Sequence, residues 1–148
     1  VDTVCCLVMG WDPESVGYLN LFREMDGAGD TADIRVRGVW ADEVREQFTI
    51  YKENLGGKAA EIKQGPKLWA DMVTDGDSAV IKYRAGQGAR KVEVYIDGLF
   101  QALLAVEEGT EEGRIDLTVP GLSTEEHEVV AVAYDRFLNR TAIVVEGK

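Results

Sequence analysis

His127 is the only histidine in the chain, and Cys5 and Cys6 are its only cysteines. A zinc site needs several such ligands converging on one ion. A Ser-His-Asp triad would have to assemble around this one imidazole. Neither constellation is spelled out, so His127 is not read as catalytic or as a zinc ligand. Cys5 and Cys6 are adjacent; on a strand their side chains point to opposite faces, where a disulfide between them is strained. At least one reads as a small core residue.

Oxygen ligands are more plentiful. A calcium site needs them from separate backbone positions. Asp75 and Asp77, with Asp97 or Asp135 from adjacent loops, are the candidate metal ligands. Glu107, Glu108, Glu111 and Glu112 read as a solvated, charge-rich turn. No carboxylate pair stands out for glycoside hydrolysis. An exposed indole can stack on a sugar ring or anchor a protein partner. Trp40 and Trp69 are therefore the candidate binding residues, against the plainer reading that they make core or interdomain contacts; Trp11 is assigned to a core. Gly86-Gln87-Gly88 and Gly27-Ala28-Gly29 lack the lysine and helix context of a phosphate loop and read as turns. Asn139-Arg140-Thr141 is a glycosylation sequon.

These residues need a scaffold, and composition bounds it. The chain has 148 residues, 45% of them apolar, which suffices for a packed core. Its net charge of −11 argues against nucleic acid and against anionic membrane surfaces. No apolar run approaches the length of a membrane-spanning helix, so no membrane insertion is expected. Val1–Met9 is apolar without a basic flank and does not read as a signal peptide.

From Pro66 onward, apolar runs and turn residues alternate at all-β spacing. Seven strands are expected: Pro66–Val73, Ser78–Ala85, Lys91–Ile96, Gln101–Val106, a run through Ile115, Leu117 and Val119, Glu128–Tyr134 and Thr141–Val145. Asp97-Gly98 is a hairpin signal, because glycine tolerates positive φ.

The segments VEVYIDG and IDLTVPGLSTEEHEVVAVAYDRFLNR resemble the bacterial immunoglobulin-like family. His127, Val130, Val132, Ala133, Asp135 and Asn139 sit at or near its motif positions, while Leu138 stands where the family has a hairpin glycine. The resemblance implies a β-sandwich over Pro66–Lys148 and a surface, secreted or virion protein. It also raises the calcium expectation, since such arrays sometimes stiffen their junctions with that ion.

Residues 32–62 match 115–144 in pattern and register, with Ile34 and Val36 on Leu117 and Val119, and Phe48 and Ile50 on Val130 and Val132. Asp2–Cys6 matches Asp77–Ile81, and Gly17–Phe22 would replace the KVEVYI strand. Trp11-Asp12-Pro13 with Gly17-Tyr18 resembles the fibronectin type III signature. The chain is thus expected to be all-β: two consecutive immunoglobulin-like sandwiches, residues 1–65 and 66–148, the first lacking its first strand. That would leave an open sheet edge for strand addition.

A rival reading is an α/β segment before a single sandwich. Asp12-Pro13 is a helix start, and Tyr18, Leu21, Phe22 and Met25 share a helical face. A second helix would run over 42–56. Function follows the architecture. The expectation is a non-enzymatic structural or adhesive module pair of an extracellular, cell-surface or virion protein, with a protein or glycan ligand. The alternatives are the accessory end of a secreted enzyme and a carbohydrate-binding module.

Overall fold

The computed structural model describes residues 1–26, 30–46, 58–107, 109–122 and 126–147. The chain divides into two compact units, Val1–Gln64 with Arg136–Asn139, and Gly65–Asp135 with Arg140–Lys148.

The second unit holds the seven strands. Alternation dictates them: in β2 (Ser78–Ala85), Ala79, Ile81, Tyr83 and Ala85 are buried while Lys82 and Arg84 are exposed. β1 (Leu68–Asp75) pairs with β2, and β2 with β5 (Glu112–Thr118), all antiparallel. The other sheet runs β4 (Leu99–Ala105), β3 (Ala89–Ile96), β6 (Val129–Asp135), β7 (Arg140–Val144), again antiparallel throughout. The architecture is mostly β and consistent with an immunoglobulin-like sandwich.

Leu68, Met72, Ile81, Val92, Val94, Ile96, Ile115 and Val129 fill the core between the sheets. Each large apolar side chain buried there contributes about 1.5–3 kcal/mol. Asp97 (φ 51°) and Gly98 (φ 74°) both take the left-handed conformation that a two-residue β3–β4 hairpin requires.

The first unit departs from the repeat. Asp2–Cys6, expected as a strand, lies in a helix, α1 (Asp2–Val8). Its buried residues Thr3, Cys6 and Leu7, followed by Gly10, recur at helical spacing. Gly10 (φ 73°) stops it: the Gly10 N–H donates to Leu7 O at 3.1 Å and the Trp11 N–H to Cys6 O at 2.8 Å. Pro13–Ser15 is a single 3-10 turn whose Asp12 side chain accepts from the Glu14 N–H. Gly17–Phe22, expected to replace a strand, begins α2 (Gly17–Asp26). Capping by Asp12 and the fixed φ of Pro13 start helical structure here, and the repeat pattern could not register either. Tyr18, Leu21, Phe22 and Met25 share a face of α2, and that face is exposed among the described residues.

The described residues of this unit contain no strand, only an isolated bridge between Trp11 and Ala59. The open edge expected in the first module is therefore absent from the described residues. Of the second expected helix, 42–44 form turn and bend and 45–46 are irregular, while Phe48, Tyr51, Leu55 and Gly56-Gly57 lie outside the described residues, as do Ile50 and Gly27-Ala28-Gly29.

Arg136–Asn139, the link between β6 and β7, belongs to this first unit. Arg136 pairs with Asp12 at 3.1 Å and with Glu14, and Arg45 donates to Asn139 Oδ1 at 2.8 Å and to Phe137 O. Leu138 takes a positive φ (57°). That strain costs about 1–2 kcal/mol for an L-residue, which burial of its side chain to 2% exposure offsets.

Candidate functional site

Strand alternation presents one open polar face in the second unit. On the outer side of the three-stranded sheet, Trp69 lies beside Arg84, and Arg84 beside Glu112. The next row is Asp71, Lys82 and Arg114. Trp69 is 55% exposed. The Arg84 Nε donates to Glu112 Oε1 at 2.8 Å. On the same strand as Glu112, Arg114 forks onto Asp116, with Nη2 to Oδ1 at 2.6 Å.

An open groove of about 640 Å³ wraps the β1 edge here, lined by Leu68, Trp69, Asp71, Tyr83, Arg84, Glu112 and Ile143 among others. Gly113 is required beside it: Tyr83 lies directly over this residue, where any Cβ would collide with the phenol ring. Burial raises the Tyr83 pKa, so the phenol stays neutral. The groove thus offers a flat indole, a guanidinium–carboxylate pair and an apolar floor. Such a surface can stack a ring and hydrogen-bond its substituents. It presents no activated nucleophile.

A second ionic cluster sits on β3, on the side facing away from the core. Lys91 Nζ donates to Glu93 Oε1 at 2.7 Å, and the Tyr95 hydroxyl donates to Glu93 Oε2 at 2.6 Å. Lys91 Nζ also stands 4.6 Å from the centroid of the Tyr134 ring. Lys91 and Glu93 are each only 1% exposed. Burial first, and then the Glu93 charge, push the Tyr134 hydroxyl far above its usual range. Sequence reasoning missed this cluster. Its signal lay across the sheet: β6 reads VVAVAY, apolar at consecutive positions, as strands buried on both faces do.

The other sequence candidates disperse. Trp40 is half-buried in the first unit and Trp69 lies in the second. Trp11 is half-buried beside its bridge to Ala59. Asp75 and Asp77 flank the β1–β2 turn, where Asp77 Oδ1 accepts from the Gly121 N–H at 2.9 Å. Asp135 is buried at the end of β6. Asp97 Oδ2 meets His127 Nδ1 at 2.6 Å, and its Oδ1 accepts from the Glu128 N–H at 3.0 Å. The His127 hydrogen bond holds the Asp97 carboxyl below its ordinary pKa. His127, two residues before β6, thus bonds to Asp97 in the β3–β4 turn. Among the described residues, no three His, Cys, Asp or Glu side chains converge as a metal site. Cys5 and Cys6 are free thiols on α1, the first exposed and the second buried, and burial raises the Cys6 pKa. Asn139, the sequon residue, is buried and donates to Glu61 O at 2.8 Å.

No family model matches the chain. No curated protein matches it. Among solved structures, the chain is similar to an FMN-binding β-glucuronidase from Facaelibacterium prausnitzii L2-6, at 15% identity and a TM-score of 0.37, over 57% of this chain and 12% of that one. It is also similar to the spore cortex lytic enzyme SleM of Clostridium perfringens, at 12% identity and 0.37, over 56% and 27%. A CARDB domain from Pyrococcus furiosus, in complex with di-metal ions, gives 17% identity and 0.34, over 59% and 97%. The chain therefore spans 12% and 27% of the length of the two enzymes. Among the described residues, no helix is long and apolar enough to cross a membrane.

Proposed function

We propose that this chain is a non-catalytic binding module, accessory to a larger extracellular, cell-surface or virion protein, and that it holds a glycan on the Trp69 face. One observation carries the reading: a large aromatic side chain, 55% exposed, beside the Arg84–Glu112 pair on the outer face of the sheet. A solvent-facing indole has little packing reason to be there, whereas a pyranose ring stacked on it gains apolar contact. The neighbouring guanidinium and carboxylate then select hydroxyl patterns by directional hydrogen bonds.

The test is a glycan array followed by titration of tryptophan fluorescence. Binding that Trp69→Ala abolishes and Trp40→Ala leaves intact is the expected result. A full panel with no shift in emission would reject the glycan. Hydrolysis of any ligand, lost on a single substitution, would reject the non-catalytic reading.

A further inference from the structure

We infer that the sugar held at Trp69 carries an anion, a carboxylate or a sulfate ester, and that Lys67 and Lys82 select it. The inference rests on the glycan reading of the Trp69 face and names the class of glycan within it.

Strand geometry sets the neighbours of the indole. Lys67 and Asp71 lie two residues to either side of Trp69 along the chain, about 7 Å away on the same face. Lys67 precedes β1 but keeps its register, since the Gly86 N–H donates to Lys67 O at 2.7 Å. Gly86 has no side chain to cover the lysine; a methyl group there would stand 3.3 Å from Lys67 Cβ. Arg84 is directly opposite Trp69, and Lys82, which lines the groove, is diagonally opposite, about 7–8 Å away. Both lysines are exposed. Their flexible four-carbon stems reach a ring seated on the indole.

The charges around Trp69 run against those of the chain. In these three rows stand four cations, Lys67, Lys82, Arg84 and Arg114, and two carboxylates, Asp71 and Glu112. The whole chain has 27 Asp and Glu to 16 Lys and Arg, the opposite balance. Arg84 is committed to Glu112 and Arg114 to Asp116. Lys67 and Lys82 enter no ion pair among the described residues. Two uncommitted ammonium groups, each with three donors, therefore flank one exposed aromatic plane. A neutral sugar would use the indole and leave both lysines idle, whereas a ring bearing an anion engages all three. The net charge of −11 does not oppose this at contact range. At physiological ionic strength, exposed charges more than ~8 Å from the ligand are largely screened.

The test titrates the full chain by tryptophan fluorescence at one fixed ionic strength. The probes are uronate and sulfated oligosaccharides, each beside its carboxyl-reduced or desulfated counterpart. At least one acidic member is expected to bind about tenfold or more tighter than its neutral counterpart, the worth of one charge-assisted hydrogen bond. Whether a uronate or a sulfated pair shows the difference names the group. Lys67→Met with Lys82→Met should bring the acidic Kd to that of the neutral sugar and leave the neutral Kd unchanged. Circular dichroism confirms that this variant folds. Neutral sugars that bind as tightly as acidic ones overturn the inference and leave the glycan reading standing. An acidic preference that survives the double substitution overturns it too, because the anion is then held elsewhere. No binding in any pair, together with a silent glycan array, rejects the glycan reading and the inference with it.

Discussion

The outer faces of the two sheets are written in the same code and end in opposite states. On β2 and β5, Lys82, Arg84, Glu112 and Arg114 are exposed, and their ion pairs are solvated. On β3, Lys91 and Glu93 occupy equivalent outward positions and are sealed from water. Alternation alone therefore does not say whether a charged side chain meets solvent. The partner strand does. β5 alternates charge with apolar residues, whereas β6 is apolar on both sides. The first face stays open to solvent. The second specifies register, since sliding β3 by one residue would strand both charges in the sandwich core.

The sharpest way to break this comparison is to remove one partner of each pair. Glu93→Gln removes the carboxylate that the buried Lys91 ammonium pairs with, and a cost of about 3–5 kcal/mol is expected in urea unfolding. Replacing both, Lys91→Met with Glu93→Leu, is expected to recover most of that loss. If Glu93→Gln costs no more than a surface substitution, the two faces are alike and the distinction is void.

The next effect belongs to the other sheet. Gly113→Ala forces a methyl group into the Tyr83 ring, and overpacking of this kind costs about 1–3 kcal/mol. Gly113→Ala in a Tyr83→Ala background, which removes the ring, should add almost nothing further. Smaller still is Arg84→Ala, at about 0–1 kcal/mol, because the Arg84–Glu112 pair is exposed and screened. Its effect should fade in about 1 M salt, whereas that of Glu93→Gln should persist.

The smallest effect is a pH dependence at the β3–β4 turn. The Asp97 pKa is lowered in the folded state by His127, so its stabilising contribution is present above the ordinary carboxylate range. It is lost as pH falls through the lowered value. Asp97→Asn should therefore flatten the acid limb of the stability profile. An unchanged acid limb would show that the clamp does not couple to folding.

Much of the sandwich was legible because each strand announced itself twice, by alternation and by the turn that ended it. Asp97-Gly98 and the run through Ile115 and Leu117 are examples. The first unit was harder because its residues satisfied two periods at once. Asp2–Cys6 could be laid on Asp77–Ile81 as a strand, yet Gly10 eight residues after Asp2 is a helix stop, and that signal outranks a register match without identities. Trp69 was legible as a candidate because indoles are few. Lys91 and Glu93 were not, since a polar residue at an outward position is solvated by default, and only the composition of the neighbouring strand could say otherwise.

The assignment of Arg136–Asn139 to the first unit bears on how the chain is made. A ribosome releases residues 1–64 long before it reaches this tetrapeptide, so Asp12, Glu14, Arg45 and Glu61 emerge without the side chains and carbonyls they will bind. These contacts therefore form only after the last hairpin has been synthesised, unlike the contacts within a module of a simple tandem array. Cutting the chain at residue 65 would separate Asp12, Glu14, Arg45 and Glu61 from the tetrapeptide that binds them.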